Sequence, residues 1–223
     1  GKAEELPAFT QIELQEFSSL EPVDTHTHIY KDDPAYTSML QKLHLHILDI
    51  VDVSDNGDSE RKILDKEESD VFAVARDSHG RAAVCTSFDP FRINDPHFSS
   101  AAIARLNESF RKGAIAVKLW KNVGMEIRDT HGKYVLPDQA VLEPVYKYIA
   151  TQHKTLLTHV ADPDTAWSPL GNQPDADYYS EHPEWYMDDI QGAPTKAEIL
   201  QARDHVLVEN PDLRVVGAHL GSM

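Results

Sequence analysis

Cysteine is nearly absent from this chain of 223 residues: Cys85 stands alone, so neither an intrachain disulfide framework nor a thiolate metal site can be built. Any bound metal must be held by His and carboxylates. Basic residues are scarce too, with 21 Lys and Arg against 37 Asp and Glu, and the net charge of −16 repels phosphate backbones and anionic lipid. Nucleic acid and membrane surfaces are therefore not expected as partners. No apolar run approaches the roughly 18 residues needed to cross a bilayer; the longest candidate, residues 45–53, is broken by His46, Asp49 and Asp52. Internal repeats and low-complexity tracts are also missing. The expectation is a soluble chain. It opens on Gly1 rather than Met, which suggests a removed tag or leader and leaves both a cytoplasmic and an exported location open.

What is present suffices for a sizeable core: hydrophobic residues make up 41% of the chain, close to the globular average. The length fits one large domain spanning 1–223. Short β-rich runs end at 22–26 and recur at 44–54, 81–88, 113–120, 155–160 and 213–220. Helical patterns fall at 64–76, 99–111, 138–151 and 194–209, the last opened by Thr195 and Glu198 at capping-box spacing. Strand and helix in alternation predict βα units around a parallel sheet, an α/β fold. Two connections exceed ordinary turns, 121–137 and 161–193. Both leave the C-terminal ends of strands, where (β/α) barrels build their active sites. The second, with Trp167, Tyr178, Tyr179, Trp185 and Tyr186, is expected as an ordered insertion over the barrel mouth.

The twelve His matter by placement. In Val23-Asp24-Thr25-His26-Thr27-His28 two His at i, i+2 end a strand, so both imidazoles leave one face and one cation can meet both. Thr158-His159 and Ala218-His219 end the fifth and sixth strands, and Lys118 ends the fourth. On a barrel these five side chains converge on one mouth. A single strand-end His is more often a hydrogen-bonded structural residue; four at three strand ends point to a site. His44 and His46 share the i, i+2 spacing but open the second strand, where stability is expected rather than chemistry. His79, His97, His131, His153, His182 and His205 read as surface residues, with His131 and His182 kept in view because they lie in the long connections.

These stations, Asp-Thr-His-Thr-His at 24–28, Lys118, His159 and Gly-Ala-His-Leu-Gly at 217–221, together resemble the amidohydrolase superfamily, in particular metal-dependent hydrolases of the amidohydrolase-2 type. The resemblance runs over nearly the whole chain. It implies a TIM-like (β/α)₈ barrel holding one or two divalent ions, usually zinc. By that likeness His26, His28 and His159 are metal ligands, joined in the family by an Asp from an eighth strand. His219 becomes a second-metal ligand or a general acid/base, and Lys118 a carboxylated bridge or, preferably, a cation facing the substrate. Asp24 is expected to accept from an imidazole N–H and hold its tautomer. Trp120, Trp167, Trp185 and Tyr186 are candidates for the wall of a small-molecule pocket.

Neutral imidazoles suit zinc, and zinc with an open position lowers the pKa of its water to about 7, so the implied reaction is attack by that water on an amide, ester or lactone carbonyl. Only about six of eight βα units are counted, which makes the expected barrel incomplete; truncation is preferred over a naturally short chain or completion by another copy, and homo-oligomers stay open. Three rivals stand beside the hydrolase: a decarboxylase of the same superfamily, resembling aminocarboxymuconate-semialdehyde decarboxylase; a PHP-type phosphoesterase; and an inactive metal-binding barrel fragment.

Overall fold

Runs of Val, Ile, Leu and Thr, residues that favour the pleated, half-buried backbone of a sheet, set six strands in the computed structural model, which describes residues 9–53, 62–171 and 174–222. They are β1 Val23–Thr27, β2 His46–Ile50, β3 Ala82–Ser87, β4 Ala116–Leu119, β5 Thr155–Thr158 and β6 Arg214–Gly217. All neighbours are parallel in the order β1-β2-β3-β4-β5-β6, so the sheet is wound in chain order, curls as an incomplete barrel, and leaves β1 and β6 at its edges. The register is continuous except for an irregularity in β1 between Asp24 and Thr27, ahead of the second His of the pair.

Helices cover the sheet: α1 Gln11–Ser19, α2 Pro34–Leu43, α3 Lys62–Asp77, α4 Phe98–Lys112, α5 Asn122–Met125, α6 Glu143–Thr151, α7 Ala176–Glu181, α8 Lys196–Glu209 and α9 His219–Ser222. The shortest two, α5 and α9, are kinked turns with non-helical residues inside. At the start of α8 the capping box closes both ways: Thr195 Oγ1 accepts from Glu198 N at 3.2 Å, and Glu198 Oε2 accepts from Thr195 N at 2.7 Å. No described helix is long and apolar enough to cross a membrane.

The expectations differ in detail. The pattern at 138–151 becomes a helix only from Glu143; residues 138–142 form turns, with Leu142 N donating to Gln139 O at 2.9 Å. Pro144 explains the start, because its fixed φ and missing N–H belong in a first turn. Helix α2 was not expected, although Asp33 caps it and Pro34 opens it. Ser54, the last residue of the second expected strand, lies outside the described residues. His44 and His46 sit at the entrance of β2, His44 ending α2 in left-handed backbone and His46 Nε2 lying 2.8 Å from Arg81 Nη1.

Leu106 of α4, Val117 of β4, Ile149 of α6, Leu156 of β5 and Ile199 of α8 form one buried cluster; Ile50 of β2, Val71 of α3, Cys85 of β3 and Leu157 of β5 belong to a second. Each fully buried aliphatic side chain of this kind contributes about 1.5–3 kcal/mol. A rigid sheet thus presents its strand ends to the functional region.

Candidate metal centre

His26 stands in β1 and His28 one residue past its end, beyond the irregularity in register. Asp24 Oδ1 accepts from His26 N at 2.9 Å, a bond to the backbone where one to an imidazole was expected. An exposed carboxylate two residues upstream reaches the amide more easily than the ring. His28 Nδ1 meets the Ile50 carbonyl at 3.1 Å. A carbonyl only accepts, so Nδ1 holds the proton and Nε2 keeps its lone pair for a cation or substrate.

His159 follows β5 directly and is 9% exposed, yet neither ring nitrogen has a hydrogen-bond partner among the described residues. His219 follows β6 in a tight turn in which His219, Leu220 and Gly221 all have left-handed backbone, with φ of 50°, 55° and 73°. A Cβ on Gly217 would fall 2.8 Å from Gly221 Cα, so this turn closes only on glycine. The closure folds His219 back over the sheet. Its ring centroid lies 4.5 Å from that of His159 and 4.9 Å from that of His26, and His26 is 5.4 Å from His28. One ligand atom from each of His26, His159 and His219 lies within 4.8 Å of the others. His219, expected first as a catalytic group, belongs geometrically to the closest trio, while His28 flanks it.

Lys118 is fully buried at the floor, with Nζ 2.8 Å from His26 Nε2 and 4.9 Å from the Trp120 ring centroid. Burial lowers its pKa to about 8. Burial first, and then the Lys118 charge, lower His26 to about 3; burial likewise lowers His159 to about 4, against the pull of Asp162. Both imidazoles are therefore neutral near pH 7, the form that ligates a metal. The His159 nitrogens, buried and without hydrogen bonds among the described residues, fit a divalent cation better than they fit a closed polar network, in which such atoms are paired.

The Trp120 ring lies 5.4 Å from that of His28 and 6.2 Å from that of His159 between centroids. Trp185 packs over Lys121 Nζ at 4.0 Å and donates from Nε1 to Glu126 at 3.0 Å. Trp167 and Tyr186 are engaged within the 161–193 segment and its border: Trp167 Nε1 donates to Pro194 O at 2.9 Å and Tyr186 Oη accepts from Leu170 N at 3.0 Å. Two groups were missed in the sequence. Lys121, three residues past Lys118, is buried, donates to Tyr178 Oη at 2.5 Å, and is lowered to about 8 by burial. Asp162, three residues past His159, has Oδ2 3.5 Å from His159 Nε2 and 3.8 Å from His219 Nε2. Its position behind a strand-end His was the available signal.

No protein-family model and no curated protein matches the sequence. Solved structures do. An amidohydrolase II superposes with a TM-score of 0.53 at 16% identity, covering 86% of this chain and 65% of that one. A 2,6-dihydroxybenzoate decarboxylase from Rhizobium gives 0.54 at 12%, covering 90% and 66%, and Metarhizium anisopliae IDCase gives 0.55 at 17%, covering 90% and 65%. The chain thus spans about two thirds of the length of these structures. At such identities the likeness is one of fold: six parallel strands of an α/β barrel of the kind seen in amidohydrolase structures.

Proposed function

We propose that this chain belongs to the amidohydrolase superfamily and acts, with a divalent ion, on a small molecule at a carbonyl or carboxyl carbon. The observation that carries this reading is the meeting of His26, His159 and His219, from three strand ends, with ligand atoms within 4.8 Å of one another. These three would hold the ion, zinc by the chemistry of an imidazole set, with His28 beside them. A bound divalent ion supplies a Lewis acid and a water of lowered pKa.

The remaining steps fall to the chain. Lys118 offers a buried ammonium beside His26, where it neutralises charge on a substrate carbonyl or carboxylate oxygen, an interaction strengthened by the dry surroundings. Trp120 closes the side of the pocket next to His28 and His159. The segment 161–193, pinned through Lys121 to Tyr178 and Trp185, limits the entry of bulk water. Hydrolysis of an amide, ester or lactone is the first reading. Decarboxylation is the second, favoured by the likeness to the Rhizobium decarboxylase and by the buried ammonium groups of Lys118 and Lys121, which suit a carboxylate substrate.

The test is metal content. After chelation and equilibration with zinc, the chain is expected to retain a stoichiometric ion, and His26→Ala combined with His159→Ala to lose it while keeping its circular dichroism. Equal zinc in both proteins refutes the site. Release of CO₂ from hydroxylated aromatic acids, against turnover of esters and lactones, separates the two reactions.

A further inference from the structure

We infer that Asp162 is the carboxylate ligand of this centre, binding the same cation as His159 and His219. The assignment rests on the metal centre proposed above and adds to it an oxygen donor from the loop after β5.

Distance is the first argument. Asp162 Oδ2 lies 3.5 Å from His159 Nε2 and 3.8 Å from His219 Nε2. Imidazole–carboxylate hydrogen bonds are shorter, about 2.7–2.9 Å when charged, and the His159 ring makes none among the described residues. Two ligands of one tetrahedral zinc, each about 2.0–2.2 Å from it, stand about 3.3–3.6 Å apart. The 3.5 Å spacing to His159 is that of co-ligands rather than of a bonded pair, and the 3.8 Å spacing to His219 lies about 0.2 Å beyond that range.

Burial is the second. His159 is nine-tenths buried with both ring nitrogens unsatisfied. A site holding such a group is normally completed by a partner. The third is backbone placement. Ala161, fully buried, takes a left-handed φ of 52°, a conformation that costs a non-glycine residue about 1–2 kcal/mol. This turn carries Asp162 back over the end of β5, beside the two imidazoles, instead of onward with the chain. Strain of this kind persists where the surroundings hold it and gathers at functional sites. A carboxylate among the imidazoles also sets a negative group in a site that holds the cations of Lys118 and Lys121.

The experiment compares wild type with Asp162→Asn and Asp162→Glu, all stripped of metal and titrated with zinc and, separately, with cobalt. The expected result is zinc binding weakened on the order of 100-fold in Asp162→Asn, with a changed visible absorption of the cobalt-loaded protein. Asp162→Glu should recover part of the affinity. Wild-type affinity and absorption in Asp162→Asn overturn the assignment and leave the imidazole centre standing. Weaker binding with an unaltered cobalt spectrum overturns it as well, because a supporting residue leaves the ligand set intact. No zinc in the wild type overturns both this assignment and the reading beneath it. Should Asp162→Asn fail to fold, the cobalt spectrum of Asp162→Glu decides: a shift supports ligation and an unchanged spectrum overturns it.

Discussion

Replacing Asp49 by Asn tests how the chain supports the loop that carries His28. Asp49 lies on β2 with no exposed surface; its Oδ1 accepts from Ile29 N at 2.9 Å and its Oδ2 has no hydrogen-bond partner among the described residues. Burial raises its pKa from 3.8 to about 7, partly offset by the Ile29 and Ile50 amides, while Glu67 pushes it further up. A carboxyl whose folded pKa is raised keeps its proton after the unfolded chain has lost it. Stability therefore falls as pH rises from about 4 to about 7 and is level above. At 1.36 kcal/mol per unit, this shift sets a ceiling of roughly 4 kcal/mol, of which roughly 2–3 kcal/mol develops between pH 5 and pH 8. Asn preserves the acceptor for Ile29 and cannot ionise. Its amide introduces a fixed cost, but that cost is the same at both pH values and cancels in the difference. Urea unfolding of both proteins at pH 5 and pH 8 should thus show Asp49→Asn gaining about 2–3 kcal/mol on the wild type at the higher pH. The same difference in stability at both pH values would refute the argument that Asp49 is a strained buried acid.

Two further perturbations probe the scaffold. Glu68 joins α3 to β3 and α4 by accepting from Thr86 Oγ1 at 3.1 Å, from Arg105 Nη2 at 2.7 Å and from Ser109 Oγ; Glu68→Ala leaves these donors without it and should cost about 3 kcal/mol, read as a lower urea midpoint. Gly124 in α5 has φ 106°, and a Cβ there would lie 2.9 Å from Ile199 Cγ2 on α8, so Gly124→Ala should cost about 2–4 kcal/mol through backbone strain and overpacking. Unchanged thermal unfolding of that variant would show that α5 can shift away from α8.

Part of this architecture was legible because it is local. Alternating apolar runs marked the strands, and the Thr195 and Glu198 spacing marked the start of α8, since both depend only on neighbours in sequence. Helix α2 was missed because Pro34–Leu43 shows only Thr37 and Leu40 buried, too few for a clear helical period. The bond from Asp24 to the His26 amide is not legible in sequence, because a side chain two residues before a His can turn either to the ring or to the amide. The partners of the Trp167 and Tyr186 polar atoms, Pro194 O and Leu170 N, were not legible, because they depend on how the chain around them closes on itself.

By itself the sequence determined the parallel βα order, the reliance of any metal site on His and carboxylates, and the strand ends at which His26, His28, His159 and His219 stand, because these follow from residue type and short-range periodicity. The tertiary structure alone decided that His219 joins His26 and His159 in the tightest trio, that Asp162 faces two of them, and that Lys118 and Lys121 are buried cations. Those facts depend on the curl of the sheet and on left-handed turns at Ala161 and His219. Curvature and turn closure come from contacts between residues far apart in the chain, and no local pattern records which of them will meet.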